Sequence, residues 1–229
     1  MQPYLVFTLT AALGAMGDLA GHERRGTLDW PGRSAIIGLL GAALGLRRDG
    51  DFAPLEALSL AVAVFDAGAV LRDYHTVETV PSAAVKNANS RPEALLMAGK
   101  LKTNTAITLR DYRGGALFGV AVWGGDLAGL KAALERPGFV PYLGRKSCPL
   151  AAPVGARIVE AAGPGDALRH VQLPPWRAGA VARRMMVDAA PDDLHTEQRM
   201  DRATDRAAWH FAPRDVALRQ VQIAPEGAA

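Results

Sequence analysis

The chain predicts an α+β fold built on a ferredoxin-like, split-βαβ sheet, on three observations. Apolar strand-like stretches and two helical stretches follow the order strand, helix, strand, arm, strand, helix, strand. Residues 81–104 interrupt that order with no sustained period of 2 or 3.6, as an arm projecting from the body does. Beyond residue 150 come further strand candidates separated by charged loops, a β-rich extension.

The elements follow in order. Tyr4 to Leu9 is rich in strand formers and apolar on both faces, so it reads as a central strand. Its neighbourhood, YLVFTLTAALGAMG, has the apolar character of a signal-peptide core but no basic leader, and is read as a strand and a turn. Gly14, Gly17 and Gly21 mark an irregular connection that carries His22, Arg24 and Arg25. DWPGRSAIIGLLGAALGLRR (29–48) then predicts a helix, with Pro31 and Gly32 before it and Ser34 placed to accept from the first-turn amides. Gly38, Gly41 and Gly45 share one stripe of that helix at a cost of roughly 3 kcal/mol in propensity. Ile37, Leu39, Leu40, Leu44 and Leu46 cover most of the remaining circumference, so the helix is expected to be buried on nearly all sides. Either the protein's own sheet or a partner chain lies against the glycines.

Pro54 to Leu60 predicts a short helix and Ala61 to Phe65 a strand, followed by the polar cluster LRDYHTV (71–77). After the arm, Thr103 to Asp111 is read as its return limb, and Ala116 to Trp123 as a strand with Gly119 as a bulge. Asp126 caps a helix with Leu127, Leu130 and Leu134 inside and Lys131 and Glu135 outside, stopped by Pro137 and Gly138. The loop that follows is stiffened by Pro137, Pro141, Pro149 and Pro153, and Gly144 beside two cations would let a backbone come close to a phosphate. Strands are expected at Ala156–Glu160, Ala180–Val187 and Val216–Ile223. Residues 1–150 are assigned to the main domain and 151–229 to strands and loops that complete or flank it.

Composition sets the functional classes. At 229 residues, 49% hydrophobic and 21% charged, the chain buries a full core. Its longest uncharged apolar run, Ala35 to Leu46, is too short to span a bilayer, and the lone Cys148 excludes an intrachain disulfide and fits a cytoplasmic location. Net charge is +3, but its distribution is uneven: −3 over residues 1–80, +4 over 81–113, +2 over 114–150 and zero over 151–229. Excess cation in the middle of the chain fits an anion or nucleic-acid contact as well as a solvated basic loop. His22, His75, His170, His195 and His210 have no metal-ligand spacing, no phosphate-loop or nucleophile-elbow motif occurs, and no cofactor or metal is called for. Tyr74, His75, Lys100, Lys102 and Lys146 would be the groups of a metal-independent endoribonuclease, the alternative to a binding role.

Three stretches, PGRSAIIGLLGAALGLRRDGD (31–51), LRDYHTV (71–77) and PYLGRKSCPL (141–150), together resemble the Cas-five core family of CRISPR-associated RAMP proteins, in its type I-E form. The resemblance covers residues 1–150 well and the tail loosely. It implies an RRM-like RAMP domain with a β-hairpin thumb at about 78–110, and a non-catalytic place in the Cascade surveillance complex. There the family holds the 5′ handle of the crRNA and joins the backbone subunit CasC to the large subunit CasA, near target DNA, while cleavage belongs to CasE. Relatives tend to carry a Gln-Ala-Trp-Gly turn after the first strand, where this chain has Gly14-Ala15-Met16-Gly17 and no tryptophan. The RNA-binding residues carried over are Arg25, Arg33, Ser34, Tyr142, Gly144, Arg145, Lys146 and Ser147. Charge adds Lys86, Lys100, Lys102 and Arg110. An RNA scaffold, a ribonuclease and a protein-interaction subunit that touches no RNA are the three functions left in competition.

Overall fold

β1 (Gln2–Gly14) buries every residue from Tyr4 to Ala11, because its odd and even side chains both meet a core. The structure is a computed structural model, describing residues 1–18, 23–81, 85–99, 103–191, 193–206, 208 and 210–225. His22, Lys100 and Lys102 lie outside the described residues. β1 runs between β5 (Asn104–Trp123) and β6 (Arg157–Ala161), and β3 (Ser59–Asp66) lies on the far side of β5. β7 (Ala182–Asp188), β9 (His210–Ile223) and β8 (Thr196–Asp205) extend the sheet, giving the order β6-β1-β5-β3-β7-β9-β8. Every pairing along that path is antiparallel. The molecule is a mixed α/β structure dominated by one antiparallel sheet.

Both faces of the sheet are covered. On one, Leu5, Phe7, Leu9, Val62, Phe118, Val120 and Val122 meet Ile36, Ile37 and Leu40 of α1 (Arg33–Ala43) and the leucines of α4 (Leu127–Glu135). On the other, Tyr4, Val6, Ala61, Ala63 and Ala121 lie under Leu168 and Val171, which follow the short helix α5 (Pro164–Ala167). Asp126 caps α4 as the sequence predicts, accepting from the Gly129 amide at 2.9 Å.

α1 departs from expectation at three points. Its cap is not Ser34: the N-cap is Gly32, and the carboxylate of Asp201 on β8 accepts from the Arg33 amide at 2.7 Å. Gly45 does not belong to the helical stripe. Its φ of +75° places it just past the helix end, where its amide and that of Leu46 donate to the carbonyls of Ala42 and Gly41 in a Schellman motif. The two glycines left inside the helix have different surroundings. A Cβ on Gly41 would meet the ring of Phe52 at 2.4 Å, whereas one on Gly38 would meet nothing within 4 Å. The chain's own Phe52, which precedes α2 (Ala53–Glu56), therefore fills the close approach at Gly41.

The middle of the chain is more regular than its composition suggests. The polar cluster 71–77 lies within β4 (Ala69–Thr79), whose antiparallel ladder with β5 runs from Ala69 opposite Gly114 to Thr79 opposite Asn104. β1 stops at Arg113, so the hairpin leaves the body of the sheet there and extends for roughly 35 Å. The arm contains α3 (Arg91–Ala98), capped by Ser90 through the Glu93 amide. The return limb and the apolar strand after it are one strand, β5. Gly119 is not a bulge, since the β1 and β3 registers pass straight through it; it lets Phe65 and Leu168 approach instead. β8 was not expected, and Arg214 of β9 ties it to the sheet through Asp201 and Asp188.

Candidate nucleic-acid interface

Two of the mid-chain cations, Arg110 and Arg145, meet Arg25 at the root of the β4–β5 hairpin. β2 (Arg24–Arg25) joins β5 in parallel, with Arg24 opposite Leu109 and Arg25 opposite Arg110. Arg25 and Arg110 therefore share one face, and Tyr112, two residues along β5, points the same way. Arg145 reaches that face from the proline-rich loop: its guanidinium carbon sits 4.6 Å above the Tyr112 ring and one nitrogen donates to the Arg25 carbonyl at 3.1 Å. Arg110 Nε and Arg145 Nη1 are buried and find no acceptor among the described residues. A guanidinium N–H removed from water and left unpaired costs about 1–3 kcal/mol, and an anion placed there would offset that cost.

The loop holds Arg145 by internal bonds. Leu143 and Cys148 are buried; the Leu143 amide donates to the Cys148 carbonyl and the Cys148 amide to the Arg145 carbonyl, both at 2.8 Å. Cys148 is thus an anchor. Arg145, Lys146 and Ser147 stand at the tip, and half-exposed Tyr142 bridges to Pro149 at its base. Gly144 is required, though not by a phosphate. With φ of +84°, its missing Cβ would lie 1.5 Å from the Ala15 carbonyl oxygen, so protein backbone occupies the close approach. The Ala15 amide returns a bond to the Leu143 carbonyl, and Met16 is buried beneath the turn.

The opposite face of the root is an ion-pair knot. Buried Asp111 accepts from Arg72 at 2.7 Å and from Arg24 at 2.9 Å. The Arg72 hydrogen bond, with the bond and charge of Arg24 behind it, outweighs burial and lowers the Asp111 carboxyl to about 2. The knot fixes β2, β4 and β5 to one another and so sets the Arg25–Arg110 pair.

Other predicted residues lie elsewhere. Arg33 is buried, 5% exposed, and donates to the carbonyls of Glu56 and Leu58 at 2.6 and 2.8 Å, with Glu56 and Asp188 as carboxylate neighbours. Leu58 precedes Ser59, which faces Trp123 at the other end of β5 from Arg110. The expectation that Arg33 contacts RNA is therefore corrected: its guanidinium is spent on the chain's own carbonyls. A cavity of about 430 Å³ opens beside it, lined also by Arg202 and Arg214. Ser34 is half-buried on the same turn, and Lys86 is exposed between β4 and α3. Tyr74 and His75 are neighbours on β4 and project from opposite faces, so they do not converge on one phosphate. Among the described residues no group of three or more His, Cys, Asp or Glu is placed to hold a metal, and no helix is long and apolar enough to cross a membrane. Sequence reasoning missed Arg24, Arg72, Asp111 and Tyr112; the alternation through Leu109, Arg110, Asp111 and Tyr112 was the available signal.

Comparison with known proteins agrees with this architecture. Residues 4–217 match the family model described as CRISPR-associated protein (Cas_Cas5). The Escherichia coli K12 protein named CRISPR system Cascade subunit CasD is 34% identical over 189 residues, covering 75% of this chain and 78% of that protein. Among solved structures, a chain of a CRISPR RNA-guided surveillance complex superposes with a TM-score of 0.70 at 24% identity, over 96% of this chain and 90% of its own. A second, described as a Cas protein, gives 0.66 at 24% identity over 99% and 100%. With the family match spanning nearly the whole sheet, the chain belongs to the Cas5 family of CRISPR-associated proteins.

Proposed function

We propose that the chain is a non-catalytic, crRNA-binding subunit of a type I-E Cascade surveillance complex, working in the cytoplasm in antiviral defence. Its fold is read as a ferredoxin-like, RRM-like RAMP domain. The strand order β6-β1-β5-β3 with α1 and α4 on one face supports that reading, and the β4–β5 hairpin is its thumb. Residues 1–150 carry the RNA contacts and 151–229 complete the domain. Joining CasC to CasA is the partner role that goes with this place in the complex.

The carrying observation is the face where Arg25, Arg110 and Arg145 converge with two donor nitrogens unpaired. Phosphates of the 5′ handle pair with these guanidinium groups while Tyr142, Lys146 and Ser147 at the loop hold the splayed bases. If about four phosphates are neutralised, log K falls with log salt at a slope of about −3. Replacing Arg110 and Arg145 together by alanine shortens that slope by about 1.5 and lowers the yield of assembled complex. An unchanged slope with unchanged assembly would remove the site.

The ribonuclease reading lacks a geometry, because Tyr74 and His75 diverge. Incubating the purified protein with repeat RNA in EDTA is expected to leave the RNA intact; specific cleavage lost on changing His75 would restore that reading.

A further inference from the structure

The knot face of the hairpin root carries exposed aromatic rings that the handle site does not use. Val70, Arg72 and Tyr74 alternate along β4 opposite Arg113, Asp111 and Leu109, so all six side chains share the face turned away from Arg110. Tyr74 is 61% exposed. The segment that covers this side of the sheet adds Trp176, 63% exposed, and Arg177, which pairs with Asp66 and donates to the Gly115 carbonyl at 3.3 Å. Asp66 in turn accepts from the Gly68 amide at 2.8 Å, and the Gly68 carbonyl accepts from Arg113 at 3.5 Å. Arg113 Nε is buried without an acceptor among the described residues.

Tyr74 and the segment that carries Trp176 thus border a surface bearing four guanidinium groups, of Arg24, Arg72, Arg113 and Arg177, against two carboxylates, of Asp66 and Asp111. An apolar protein partner would have to desolvate those cations. A single strand of nucleic acid offers phosphates for the excess guanidinium charge, above all for the unpaired Arg113 Nε, and flat bases for the rings. Six residue steps of strand lead from Gly115, which anchors Arg177, to Leu109, which faces Tyr74. That stretch of strand is about 20 Å long, so the Trp176 segment and Tyr74 would meet separate nucleotides of one strand.

We propose that this face is a second nucleic-acid surface, on which a single strand stacks bases on Trp176 and Tyr74 with its phosphates beside Arg113 and Arg72. It is independent of the handle site, which lies on the other face of the same hairpin.

The test uses the full chain and short oligouridylate or oligothymidylate. Tryptophan emission is read as the difference between the wild-type protein and Trp176→Phe. Quenching of that difference on adding oligonucleotide is expected, and the oligonucleotide that quenches at the lower concentration identifies RNA or DNA as the strand. Trp176→Phe keeps a ring and binds nearly as tightly, while Trp176→Ala and Tyr74→Ala each weaken binding about ten-fold. The variant lacking Arg110 and Arg145 keeps the quench, which separates this surface from the handle site. No quench with either oligonucleotide, or alanine variants that bind as well as wild type, would overturn the proposal. So would alanine variants that lose complex assembly with unchanged oligonucleotide binding, which would assign the face to a protein.

Discussion

Removing the Arg33 side chain takes one of two cations from Glu56 and from Asp188, which keep Arg206 and Arg214, and takes a donor from the buried carbonyls of Glu56 and Leu58. We expect Arg33→Ala to cost about 1–3 kcal/mol, seen as a lower urea midpoint, with no change in the salt slope for RNA. Arg145→Ala is expected to do the reverse. Stability falls by no more than about 1 kcal/mol for the lost ring contact, and the salt slope shortens by about 0.7. Asp111 gives a pH signature. Its carboxyl is lowered to about 2 by the Arg72 and Arg24 partners, so its contribution to stability is present above the unfolded value near 4 and is lost as pH falls through 2. Asp111→Asn should therefore remove part of the acid dependence between about pH 4 and pH 2, read by unfolding or by amide exchange in β4. The sequence showed the charge of these residues but not their burial. An arginine that holds carbonyls and one that waits for phosphate are the same letter, and only contacts distant in the chain, such as Arg33 with Asp188, separate them.

α1 shows what local pattern does and does not determine. Its existence followed from Pro31 and Gly32 and from the apolar run through Ile37, Leu39 and Leu40, but its cap comes from Asp201, 168 residues away, which no window reads. The glycines separate by substitution. Gly38→Ala should be neutral or stabilise by up to about 1 kcal/mol, since nothing lies within 4 Å and alanine is the better helix former. Gly41→Ala should destabilise by about 1–3 kcal/mol, because Phe52 would have to move from a ring position held by Arg206, 4.1 Å above it. Thermal unfolding of the two variants side by side checks this. β4 escaped detection because the hairpin stands off the core, so its side chains alternate between two wet faces and no hydrophobic period marks them. α3 was missed despite a legible sign, Ser90 followed three residues on by Glu93.

At the scale of the whole molecule, one continuous, mainly antiparallel sheet brings residues from the first, middle and last thirds of the chain to the ends of β5. The βαβ order and β6, β7 and the second half of β9 were legible because each buries an apolar face, whereas β8 was not. That the last third lengthens the same sheet through β7, β9 and β8 was not, because strand order depends on pairings no single strand encodes. The account makes the root of the hairpin the RNA contact of a Cascade subunit, held in shape by the Asp111 knot and the Gly144 loop. The most direct test is to coexpress the tagged chain with Cascade partners and a repeat–spacer transcript and to sequence the RNA that copurifies. A short RNA of uniform 5′ end should accompany the wild type and be lost from the Arg110→Ala, Arg145→Ala variant, whose unfolding temperature stays close to that of the wild type. Equal recovery of that RNA from both proteins would contradict it.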